Sequence, residues 1–126
     1  IIKLYDSILN NHLRCDISNV YGISSPSQFS NYINTIRKLR NYCAHGKVLF
    51  DLKLDEAIGN GPLGYLGNRK VMLSGMYMVF KYFLNKISAN RVKEMQEEVL
   101  RAFNRIPYPI VTTVVFDNSG FKIEEI

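Results

Sequence analysis

The stretch Ser24–Gly46, "SSPSQFSNYINTIRKLRNYCAHG", decides how the chain reads. Ser25 followed by Pro26 is a start signal, with the serine as N-cap and the proline at the first helical position. Phe29, Tyr32, Ile33, Ile36, Leu39 and Cys43 then recur at helical steps on one face. Gly46 is placed to stop the run. The spacing predicts an amphipathic helix from Pro26 towards His45.

Working outward, the pattern stays helical. Ile2, Tyr5, Ile8, Leu9, Leu13, Ile17, Val20 and Tyr21 predict one amphipathic helix from Ile2 up to Gly22. Residues 47–69 are glycine-rich and read as a loop with one short helix near "DEAI". Leu73, Met76, Tyr77, Phe80, Phe83, Leu84 and Ile87 predict a helix over 70–88, and Val92, Met95, Val99 and Phe103 another over 89–105. After Pro107 and Pro109, "IVTTVVF" is β-branched and predicts an extended tail, fit for an edge strand, an exchanged arm or a clamp. The expected fold is therefore all-α, a bundle of about four helices over residues 1–106 with an extended C-terminal tail over 107–126.

At 126 residues the chain is long enough to bury a core without staples. Met72, Met76, Met78 and Met95 read as core filler. Cys15 and Cys43 stand in no metal-binding spacing and are expected to be free, buried thiols. No apolar run is long enough to span a bilayer, so no membrane partner and a reducing cytoplasm are expected. The opening "IIKLYDS" has no initiator Met, so the chain is expected to be part of a longer protein.

The net charge of +5 is unevenly placed. No acid occurs between Asp16 and Asp51, where Arg37, Lys38, Arg40 and Lys47 stand, nor between Glu56 and Glu94, where Arg69 and Lys70 lead the cations. Two long basic stretches suit a polyanion such as RNA, and these residues, Arg40 aside, are the candidate phosphate contacts. A merely solvated basic surface has the same composition.

Arg40, Asn41 and His45 carry the chemical interest. On a helical wheel Arg40 falls at the edge of the apolar arc, while Asn41 and His45 share another face with Arg37 between. A regular helix holds Arg40 and His45 about 140° apart, so one helix does not aim both at one phosphate. Either the helix loosens before Gly46, or two copies assemble the site across a two-fold axis. Ribose carries its own 2′-OH nucleophile, so cleavage needs a proton shuttle and a charge stabiliser, which histidine and arginine supply. Asn41 would orient either group. No carboxylate cluster offers a metal site, and no cofactor is expected. The plain alternative is a C-terminal histidine settling the helix dipole and an arginine snorkelling from the core edge.

Residues "VYGISSPSQFSNYINTIRKLRNYCAHGKVLF" resemble the C-terminal region of Abi-like (abortive infection) bacterial proteins, through Tyr21, Gly22, Leu39, Arg40, Asn41, Cys43, Ala44 and His45. The likeness is read over about residues 17–105. It implies a HEPN-type helical bundle whose Arg-x4-His motif, here Arg40 and His45 with Asn41, forms a metal-independent RNase site across a homodimer. It also implies phage-defence or toxin behaviour and a possible antitoxin or regulatory RNA partner. The sequence departs from the family where a further basic residue usually follows the histidine, a place Val48 holds with Lys47 beside it. Three functions stay open: an endoribonuclease, a non-catalytic module holding a small structured RNA, and a helical protein-interaction domain.

Overall fold

A computed structural model describes all 126 residues. It is all-α, with helices α1 (Ile2–Asp6), α2 (Asn11–Val20), α3 (Pro26–Ala44), α4 (Leu73–Ile87), α5 (Ala89–Asn104) and α6 (Pro109–Ser119). Short 3-10 helices cover Gly67–Val71 and Ile123–Glu125. The expected four helices thus become six.

α3 is built as its end signals dictate. The Ser25 hydroxyl accepts from the Gln28 N–H at 3.4 Å, Pro26 follows, and Gly46 leaves the helix at φ 61°. Ser88 likewise caps α5, accepting from the Arg91 N–H at 3.5 Å. α4 begins at Leu73 because residues 67–71 wind into the 3-10 turn.

Three expectations are corrected. The single helix from Ile2 to Gly22 is two, because the Asn10 side chain accepts from the Leu13 N–H at 3.2 Å and starts a new helix. The Tyr5 hydroxyl then ties the pieces together by donating to the Arg14 carbonyl at 2.9 Å. No helix forms at "DEAI". The N–H groups of Leu54 and Ile58 go instead to the carbonyls of Val71 and Lys70, both at 2.8 Å, and both side chains are buried.

The tail is the third correction. Residues expected to be extended form α6, with Pro109 in the first turn and Gly120 closing it at φ 76°. A β-branched run needs a partner strand to satisfy its backbone, and the fold contains none, so the helix satisfies it internally. Phe116 of α6 stacks on Phe103 of α5 with ring centroids 4.5 Å apart. Beyond it Phe121 and Ile126 are buried against Tyr77, and the Ile126 carbonyl accepts from Lys81 Nζ at 3.0 Å and Gln96 Nε2 at 2.5 Å.

The main core joins α1, α3, α4 and the loop through Tyr5, Phe29, Tyr32, Ile58, Met76 and Phe83. Both cysteines are free, but neither is buried as expected: Cys15 is half-buried, and Cys43 is exposed because residues 43–48, where α3 ends, stand in solvent. No helix is long and apolar enough to cross a membrane.

Candidate functional site

The C-terminal turns of α3 hold the motif. The helix runs to Ala44 and ends at His45, the C-cap at φ −93° and ψ 8°: the His45 N–H still donates to the Asn41 carbonyl at 3.0 Å, and the Gly46 and Lys47 N–H groups close on Cys43 and Tyr42 at 3.2 and 3.0 Å. It does not loosen to swing His45 round. Helical geometry up to Ala44 sets the two positions about 140° apart round the axis, so Arg40 and His45 leave the helix in different directions.

The arc between them is open. Arg37, Arg40, Ala44 and His45 are exposed and Asn41 is half-buried between the two ends. The Arg40 guanidinium makes one side-chain contact, Nη1 to the Asn41 oxygen at 3.5 Å, and no carboxylate pairs with Arg40 or His45. The exposed guanidinium keeps its planar fork for phosphate oxygens. His45, as the C-cap residue, also sits at the negative end of the helix dipole.

The other predicted phosphate contacts divide. Arg37 places Nε and Nη2 on the Asn34 oxygen at 3.0 and 2.8 Å, which orients the guanidinium without neutralising it. Lys47 lies over the Tyr42 ring at 5.3 Å, next to the motif. Lys70 is exposed and forms no ion pair. Lys38, by contrast, lies two turns before His45 on the same side of α3 and pairs with Asp55 at 2.6 Å and Glu56 at 3.5 Å. Its hydrogen bond to Asp55 raises the ammonium above the usual lysine value and holds the Asp55 carboxyl below its usual range. Arg69 pairs with Glu125. Neither Lys38 nor Arg69 offers a free charge to a polyanion.

Sequence reading missed Asn34, which fixes Arg37, although its position one turn earlier on the same helix was a usable signal. No signal along the chain pointed to Asp55, Glu56 or Glu125. No group of three or more His, Cys, Asp or Glu side chains is placed to hold a metal ion.

Among known proteins, neither a search of curated sequences nor one of solved structures returned a match. Residues 1–51, which span α1 to α3 and all of the motif, match the family model described as Abi-like protein.

Proposed function

We propose that the chain is a HEPN-type endoribonuclease of abortive infection, cutting RNA without a metal at a site shared by two copies. The observation that carries this reading is the open arc of Arg40, Asn41 and His45, unpaired by any carboxylate. The Abi-like match over the segment containing that arc supports it.

The divergence of Arg40 and His45 requires the second copy. With two α3 ends facing across a two-fold axis, the arginine of one copy and the histidine of the other converge on one phosphodiester. One imidazole takes the 2′-OH proton as the 2′ oxygen attacks phosphorus. The bond from phosphorus to the 5′ oxygen breaks, and that oxygen takes a proton from solvent, to which the imidazolium later releases its own. The products are a 2′,3′-cyclic phosphate and a 5′-hydroxyl. Arg40 holds the charge that builds on the phosphorane oxygens, and Asn41 fixes the guanidinium. The phosphate between the two ends offsets the like charges that such a dimer brings together.

Purified His45→Ala should bind RNA and keep its oligomeric state while losing cleavage. RNA cut as fast by that variant as by the wild type overturns the proposal. The same divergence favours a second reading, in which each α3 end only grips phosphates of a structured RNA. Salt-sensitive RNA binding by the wild type, with intact RNA recovered, would select it.

A further inference from the structure

A second surface begins beside the motif, one turn before Arg40. α1, α2, α3 and α4 enclose an open groove of about 440 Å³ whose lining is wholly apolar or aromatic, from Leu4 and Tyr5 through Ile33 and Ile36 to Phe80 and Ile87. That volume lies within the range of ligand-binding clefts. Ile87 and Leu4 stand 74% and 71% exposed at its edges, a cost no free helix pair would choose for packing alone.

The charges around it have one sign. Arg14 continues the α2 stripe one turn before Ile17, and Arg40 continues the α3 stripe one turn after Ile36. Lys86 stands one turn from Phe83, while Arg37, one turn from Ile33, faces the neighbouring polar hollow that Asp6 and Glu56 also line. None of the four pairs with a carboxylate. The Arg14 guanidinium lies over the ring of Tyr5, a lining residue, at 5.4 Å, and its buried Nε–H has no acceptor. Of the nearby acids, Asp6 accepts from Ser30 on the other side of α1, and Asp16 stands about 100° round α2 from Ile17.

We infer that this groove docks an acidic amphipathic helix of a partner protein. Apolar side chains on one face of that helix would fill the groove, and carboxylates on its flanks would meet Arg14, Arg40 and Lys86. A second copy seated groove to groove would bring one set of flanking cations against another, so the charges select an unlike partner. The inference does not depend on RNA cleavage, since the probe binds or fails to bind whether or not RNA is cut.

The test is fluorescence anisotropy of the protein with a labelled synthetic peptide. The peptide carries leucines at helical spacing with glutamates on both flanks. It should bind, and more weakly as salt rises. A peptide with lysine for each glutamate, and a scramble of the acidic one, should each bind at least about ten-fold more weakly. Ile87→Glu and Leu4→Glu, both at exposed positions, should each weaken the acidic peptide about ten-fold with the circular dichroism spectrum unchanged. Equal binding of the three peptides, or wild-type affinity in both variants, overturns the inference. So does a dimer in light scattering that Ile87→Glu dissolves, which assigns the groove to a second copy. Capture by phosphatidylglycerol vesicles without binding of the acidic peptide assigns it to a lipid surface and equally overturns it.

Discussion

The Lys38 ammonium sits 2.6 Å from the Asp55 carboxylate, while Arg40, two residues on and about 160° round α3, projects unpaired into solvent. One helix thus spends one of its cations on folding the following loop and leaves another to solvent. The two should behave differently towards RNA. Lys38→Ala should change RNA affinity by less than about two-fold, whereas Arg40→Ala should lower the slope of log affinity against log salt by about one. Filter binding over a salt series reads both, and equal slopes for the two variants would refute the assignment.

The same pair gives a pH dependence with a definite sign. Asp55 is held below its ordinary value in the folded chain, so its contribution is present above the unfolded value of about 3.9 and is lost as pH falls through the folded one. Lys38 is raised, so its share persists below about 10.4 and fades as pH rises through its folded value. Urea unfolding should therefore lose stability from about pH 5 to 3 more steeply in the wild type than in Asp55→Asn. High salt should shrink the difference, because the pair is exposed on the Asp55 side.

Two glycines should respond unequally to alanine. A Cβ on Gly75 would run into the carbonyl oxygen of Arg69, backbone that has no room to yield beneath the 3-10 turn. Gly75→Ala should cost about 3 kcal/mol or more. Around Gly46 the space is open, but φ is 61°, so Gly46→Ala should cost only about 1 kcal/mol for the left-handed backbone. Thermal denaturation of both variants checks the order, and the reverse ranking would contradict the packing described.

The Phe103–Phe116 stack is the main aromatic link between α5 and α6. Phe116→Ala should cost about 2 kcal/mol, given that the side chain is only half-buried. Limited trypsin digestion should then cut sooner after Arg105, just ahead of α6, than it does in the wild type. An unchanged digestion rate would show that the segment is held elsewhere, for example at Ile126.

Much of the helical frame is legible in the chain because its signals are local. Ser25 with Pro26, Ser88, and the periodic apolar residues of α3, α4 and α5 each act within a turn or two, so reading along the sequence finds them. The separation of Arg40 and His45 was equally legible, since it follows from helical geometry and α3 stays regular to its end. The Asn10 cap that divides the first segment was present too, but the unbroken apolar period masked it.

The sequence by itself determined an all-α chain, the bounds of its long helices, and which side chains share the end of α3. Tertiary structure alone decided that residues 109–119 coil rather than extend, because a β-branched run becomes a strand only where another strand offers hydrogen bonds. It alone decided which cations remain free, because Asp55 and Glu125 lie far along the chain from Lys38 and Arg69 and meet them only once the helices pack. Capping and periodicity act between neighbours in sequence; charge pairing and burial act between neighbours in space.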